Sequence, residues 1–343
     1  METKKLGRQT VRFSDPPAIV GCGSVAGSKE GRGPLGHCFD LTSRDDRFHQ
    51  ESWEKAETTM QKKALSFALN KAGLTTEQLD YVLAGDLLNQ CIATSYSMRT
   101  QEIPFFGLYG ACSTMAEGLS LGAMLIDGGF ASYTAALTSS HFCSAERQYR
   151  NPLEYGGQKP PTAQWTTTGA GAVILSKKGD GPFVTHVTTG KIVDKGITDA
   201  NNMGAAMAPA AYDTIQIHLQ ETGRTPDFYD CIVTGDLGQL GQEIVRDFFR
   251  KDGIELGQRY ADCGGLLFDP NAQDVHAGAS GCGCSAIVLA GYLLQQMAAK
   301  KYRHILFCGT GALHSPLSMM QGESIPGICH AVAISRRKEQ EHE

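Results

Sequence analysis

The chain predicts an α/β fold built from two similar halves, and three observations carry that prediction. Apolar runs of strand length alternate with stretches of helical periodicity, the pattern of a mixed or parallel sheet between helices. A constant offset of 150 positions pairs Leu69 with Leu219, Gly73 with Gly223, Thr75 with Thr225, Asp80 with Asp230, Gly85 with Gly235, Asp86 with Asp236 and Leu87 with Leu237, in one ungapped register. A second offset, 172, pairs Cys112-Ser113 with Cys284-Ser285, Leu121 with Leu293 and Thr138 with Thr310, as if the second half carried a longer insertion. Each half then reads strand, helix, strand, helix, strand. The halves are expected at 1–179 and 180–343, meeting near Lys177 to Gly181.

Taken in order, Pro17 to Gly21 reads as a first strand that enters a Gly-rich surface loop, Gly21 to Gly36, without the G-x-x-x-x-G-K-[ST] spacing of a phosphate cradle. Trp53 to Ala72 is expected to be helical and to stop at Gly73 before a buried strand, Leu79 to Ala84. Ile103 to Tyr109 is expected to be a further buried strand. Thr114 with Glu117 has the S/T-x-x-E spacing of a capping box, and Met115, Leu119, Gly122, Ala123 and Ile126 repeat at helical spacing until Gly128-Gly129. Cys112 therefore falls on a tight turn at a helix N-terminus, where the helix dipole favours a thiolate and Gly110-Ala111 leave a ligand room to approach. A buried, inert thiol is the competing expectation. From Ser139-Ser140-His141 to Pro161 the chain is polar and punctuated by Gly and Pro, and is expected to be a functional loop. Thr168 to Leu175 returns as a strand, and Asn202 to Pro209 suits either core packing or the wall of an apolar pocket.

With 343 residues there is ample surface to bury, and the mild net charge of -5 with no Lys/Arg run speaks against a nucleic-acid face. Eleven cysteines, with no C-x-x-C pair, point to free thiols. Met1 to Val11 is polar, unlike a signal peptide, and Ala286 to Ala299 is too short to span a bilayer, so any membrane association is expected to be peripheral. Cys282-Gly283-Cys284 lacks a second pair or a His-x-x-His to complete a metal site; no metal and no cofactor are expected.

The duplicated half, the cysteine on the strand-to-helix turn of the first copy, and Gly169-Ala170-Gly171-Ala172-Val173 closing that copy resemble the thiolase fold of acyl-condensing enzymes, which implies a layered α-β-α-β-α arrangement of two pseudo-twofold related halves. Four stretches, Ala84 to Gln90, Gly110 to Thr114, Tyr155 to Pro160 and Gly204 to Ala211, resemble the stage V sporulation protein AD family over nearly the whole chain. That resemblance implies a thiolase-fold protein of endospore formers, peripheral on the forespore or spore inner membrane, that binds dipicolinic acid for uptake into the developing spore beside other stage V sporulation A proteins. A homodimer is a further expectation.

Condensing enzymes pair their nucleophile with His/His or His/Asn from the second half. Here Gly235-Asp236 and Gly278-Ala279-Ser280-Gly281-Cys282 stand at those places, and His276 lies one residue too close to its Gly-Ala-Ser-Gly run. Cys308-Gly309-Thr310-Gly311 resembles a thiolase C-terminal motif. A non-catalytic site is therefore expected, with Cys112 as a vestigial nucleophile and Asp86, Asp236, His141, Arg147, Arg150 and Lys159 as ligand-binding candidates. Pyridine-2,6-dicarboxylate carries two negative charges near pH 7, and Lys159, in Gly156-Gly157-Gln158-Lys159-Pro160, is expected to be its main charge partner. Two alternatives stay open: a working acyltransferase using Cys112 with His276 or His314 and Cys308, and a scaffold in a membrane complex with an empty pocket.

Overall fold

A computed structural model of the chain describes residues 4–149 and 156–338. The first half supplies strands β1 (Ala18–Ala26), β2 (Tyr81–Gly85), β3 (Phe105–Gly107), β4 (Tyr133–Ser140) and β5 (Gly169–Ser176). The second half supplies β6 (Phe183–Thr188), β7 (Cys231–Thr234), β8 (Tyr260–Asp262), β9 (His304–Ala312) and β10 (Gly327–Ser335). Side by side they run β1-β5-β4-β2-β3 and β6-β10-β9-β7-β8, the same order twice. In each half the last strand is antiparallel to both neighbours and the rest are parallel. The two sheets meet edge to edge where Ala18 pairs with Phe183, and the short N-terminal strand Thr10–Arg12 pairs antiparallel with β6 at Thr188, Val187 and His186.

Five helices frame the core and the site: α1 (Trp53–Ala72), α2 (Thr114–Asp127), α3 (Phe142–Tyr149), α4 (Met203–Thr222) and α5 (Cys282–Val288), the last prolonged by a π-turn (Leu289–Leu293) and Leu294–Ala298. The long outer pair, α1 and α4, obeys the repeat at both ends. Ser52 and Asn202 cap their N-termini through Lys55 N and Ala205 N, and left-handed Gly73 (φ 66) and Gly223 (φ 68) end them. α1 covers β1 and β5, while α4 covers β9 and β10. α2 and α5 pack against each other in the central layer, where α2 also touches strands of both sheets. Their apolar faces close on one cluster with Leu119 and Ala123 from α2, Ile287 from α5, and Leu293, Val173, Phe307 and Val332. Burying each of these larger side chains is worth roughly 1.5–3 kcal/mol, which neither half could recover alone.

Three sequence expectations change. The first strand does not stop at Gly21 but runs on to Ala26, and Ser28–Gly31 follows as a helical turn. Gly21 and Gly23 are there because α1 lies on them: a Cβ would sit 2.2 Å from Ala68 O and 2.1 Å from Ala64 O respectively. The capping box at Thr114 does not form. Ala111–Ser113 already turns as a 3-10 helix, Thr114 Oγ1 donates to Ala111 O (2.6 Å), and Glu117 Oε2 has no hydrogen-bond partner among the described residues. The polar stretch after His141 is not all loop, because Phe142 to Tyr149 forms α3, with Ser144, Ala145 and Glu146 turned inward. Asn202 to Pro209 caps and opens α4, where Met207 is core.

Candidate functional site

A cavity of about 510 Å³ opens above the Cys112 turn. Its walls come from both halves: the 86–91 loop after β2, α3, the start of α4 at Met203, Ser280-Gly281 before α5, and Ala312 to Ser318 after β9. The loop is pinned from α3, since Tyr149 Oη donates to Leu87 O (2.6 Å), Gln148 Nε2 donates to the same carbonyl (3.1 Å), and Asn89 N donates to Gln148 Oε1 (3.0 Å). Gln90 (φ 57) and Cys91 (φ 46) are consecutive left-handed residues on this wall, the kind of backbone strain that gathers at ligand sites.

On the floor, Ala111 (φ 50) bends the chain so that the Cys112 thiol faces Cys282 and Asp236. The turn sits directly on β9, where a Cβ on Gly311 would lie 2.6 Å from Gly110 O. Asp236 is buried and accepts from Gly281 N (2.9 Å) on one oxygen and Thr310 Oγ1 (2.8 Å) on the other. Burial pushes its carboxyl up to about 6, partly offset by these donors and by the Cys112 thiol. Cys112 in turn is raised well above the ordinary thiol range, first by the hydrogen bond with Cys282, then by burial and by the Asp236 charge. The hydrogen bond with Cys282, burial and the Asp236 charge, in that order, all favour the thiol over the thiolate that the helix terminus alone would favour.

Asp86, the repeat partner of Asp236, does line the cavity. It accepts from Leu88 N (2.8 Å), Thr94 N (2.8 Å) and Thr94 Oγ1 (2.6 Å), and burial raises it. Behind it Glu57 accepts from Ser139 Oγ and Ser144 Oγ (2.9 Å each) and is pushed up to about 8 by burial and by Asp86. Lys159 is not on the cavity wall; its Nζ lies 2.8 Å from Oε1 of Glu146, which is, and 4.8 Å above the ring of Phe142. His141 is turned away. Its Nδ1 accepts from Cys143 N (3.1 Å), its Nε2–H donates to Asp46 O (2.8 Å), its ring lies against Trp53, and burial lowers its pKa. It is a satisfied core histidine rather than a cavity residue. Arg147 points outward to an ion pair with Glu54, and Arg150 lies outside the described residues.

The structure therefore brings Cys112, Asp86 and Asp236 together and leaves His141 and Arg147 elsewhere. Of the alternative bases, His314 lines the cavity, with its ring 5.4 Å from that of Tyr149, while His276 pairs at 3.5 Å with Asp274 and Cys308 is buried inside β9. Sequence reasoning missed Glu146 and Tyr149 because it took α3 for loop. No lysine or arginine lines the cavity among the described residues. Nor do those residues hold a group of three His, Cys, Asp or Glu fit for a metal, or a helix long and apolar enough to cross a membrane.

Among solved structures, the chain is similar to 3-oxoacyl-(acyl carrier protein) synthase III from Xanthomonas oryzae pv. oryzae, at a TM-score of 0.60 and 16% identity, covering 95% of this chain and 100% of that one. It is likewise similar to the OleA E117D variant of Xanthomonas campestris, at a TM-score of 0.60 and 13% identity, covering 94% and 97%. At such identities the likeness establishes the thiolase-type fold alone. The curated Stage V sporulation protein AD of Bacillus subtilis (strain 168) is 46% identical over 333 residues, 97% of this chain and 98% of that protein. The family model for Stage V sporulation protein AD (SpoVAD) matches residues 7–335, and the chain belongs to that family of sporulation proteins.

Proposed function

We propose that this sporulation protein binds pyridine-2,6-dicarboxylic acid in the cavity above Cys112, takes part in its uptake into the developing spore, and carries out no acyl transfer there. The observation that supports this most is the Cys112–Asp236 contact. Acyl condensation needs a base to take the thiol proton and donors to hold the thioester oxyanion. A buried carboxyl group fills the place of those donors, and its charge opposes both the thiolate and the oxyanion. The walls suit a small planar ring flanked by Leu87, Leu88, Tyr109 and Tyr149, with Ser280, Ser315 and His314 as polar contacts.

A dianion also needs compensating charge. Glu146 is paired with Lys159, and Asp86 is held by three donors, Leu88 N, Thr94 N and Thr94 Oγ1, so neither wall carboxyl stands without partners. Lys159, one side chain behind the wall, is the proposed charge partner, with Arg150 next. The protein acts at the spore inner membrane, held peripherally and beside other stage V sporulation A proteins; this part of the reading rests on the family resemblance.

Calorimetry with pyridine-2,6-dicarboxylate tests it. Lys159→Ala removes a charge-assisted hydrogen bond, worth about 1.5–3 kcal/mol, and is expected to weaken binding about ten- to a hundredfold. Unchanged affinity with an unchanged circular dichroism spectrum moves the charge partner to Arg150. No binding by the unaltered protein refutes the ligand, and turnover of acyl-CoA that is lost in Cys112→Ala refutes the non-catalytic reading.

A further inference from the structure

We propose that Cys112 and Cys282 form a redox pair at the cavity floor, which a peroxide converts into an intramolecular disulfide. The two thiols come from opposite halves, one at the start of α2 and one at the start of α5, and the Ala111–Ser113 turn packs against the start of α5. The Cys282 thiol also reaches back to donate to Ala111 O at 2.9 Å, the residue before Cys112. Left-handed Gly281 (φ 100), whose N–H is held by Asp236, brings Cys282 into that position. The pair is asymmetric in the way stepwise oxidation requires: Cys112 lines the cavity, where a small oxidant enters, while Cys282 is wholly buried behind it.

Two other arrangements fit less well. Cys91 is a third thiol on the cavity wall, but it is directed at Leu108 O (3.4 Å) and not, like Cys282, at the residue that precedes Cys112. Cys308 and Cys329 sit in one cluster on adjacent strands, but both are fully buried among β9, β10 and α4, away from the cavity.

In the first step the Cys112 sulfur attacks the distal peroxide oxygen. The O–O bond breaks, the alcohol (or water) departs with the thiol proton, and Cys112 becomes a sulfenic acid. In the second step the Cys282 sulfur attacks the Cys112 sulfur, the S–O bond breaks, and water leaves with the Cys282 proton. Two thiols and one hydroperoxide give one disulfide, one alcohol and one water, with two electrons passing from the sulfurs to the peroxide. The product ties the start of α2 to the start of α5 and removes the thiol donor from Asp236.

The test uses the full chain treated with hydrogen peroxide, then unfolded, alkylated with iodoacetamide and digested without reduction for mass spectrometry. The expected result is loss of two of the eleven thiols, recovery of a Cys112–Cys282 linked peptide, and its disappearance after dithiothreitol. Cys282→Ser is expected to stop at an over-oxidised Cys112, and Cys112→Ser to leave Cys282 reduced. Cys143→Ser, at a half-buried thiol on α3, serves as the control that must still form the bridge. Circular dichroism on each variant separates a chemical effect from misfolding. The proposal is overturned if wild-type Cys112 links to Cys91, if it over-oxidises while Cys282 stays free, or if all eleven thiols survive a dose that oxidises free cysteine in the same solution.

Discussion

Cys112 and Cys284 occupy corresponding places in the internal repeat, and both stand at the start of a central helix. At Cys284 the backbones close in: a Cβ on Gly283 would lie 2.5 Å from Gly169 O, and one on Gly171 would lie 2.6 Å from the Ala286 carbonyl carbon. Its thiol is sealed, with burial raising its pKa well above the usual range. At Cys112 the 86–91 loop, α3 and the start of α4 stand back and leave a cavity. The two carboxylates related by the repeat have also parted roles. Asp86 braces a wall within its own half, whereas Asp236 reaches across to the Cys112 of the other. Duplication supplied two equivalent helix starts; the connecting segments decided which one kept a site.

The largest expected break in this contrast is at the sealed copy. Gly171→Val puts side-chain atoms into the α5 backbone, and a loss of about 3 kcal/mol or failure to fold is expected in chemical denaturation. Next, iodoacetamide under native conditions should modify Cys112 slowly and Cys284 at least about a hundredfold more slowly still, because Cys284 is reached only by opening of the core. Equal rates for both, read by mass spectrometry, would erase the distinction between open and sealed copies. Asp236→Ala leaves Gly281 N–H and the Thr310 hydroxyl without their acceptor and is expected to cost about 1–3 kcal/mol, while Asp236→Asn should recover part of that and make Cys112 more reactive by removing the charge that opposes its thiolate.

The smallest effect is one of pH. Glu57 is pushed up to about 8 from an ordinary 4.5, so its contribution to stability is full below about 4.5 and lost as pH rises through 8. Glu57→Gln, a mimic of the neutral form, is expected to leave the unfolding midpoint near that of wild type at about pH 4.5 and to raise it progressively above wild type as pH climbs to 8. A midpoint lowered equally at both values would mean that Glu57 is ionised throughout.

Much of this frame is legible in the sequence because it depends on local periodicity and on the repeat. The helices Trp53–Ala72 and Met203–Thr222 fall 150 residues apart at both ends, each with its cap and its left-handed glycine, all of them visible as residue types at fixed spacing. The site is less legible. α3 has only eight residues and is held by burial of Ala145 and Glu146, so its own sequence reads as loop. His141 could be placed at the end of β4, but which way its ring turns depends on Asp46 and Trp53, distant in sequence. The thiolate expected at Cys112 is opposed for the same reason, since Cys282, the burial around it and Asp236 all depend on the other half.

The order of strands also bears on how the chain is made. In each half the first strand lies beside the last, so β1 waits for β5 and β6 waits for β10 before either sheet can close. On the ribosome, β1 therefore keeps an unpaired edge until Ser176 has emerged, and α2 keeps an apolar face open until α5 follows. The pairings between the halves, Thr10–Arg12 and Ala18 with β6 and Trp165-Thr166 with Ala279-Ser280, all wait for residues of the second half. Synthesis of this chain thus passes through a long interval in which half a molecule, closed at its sheet but bare at its central helix, must be kept from meeting another copy of itself.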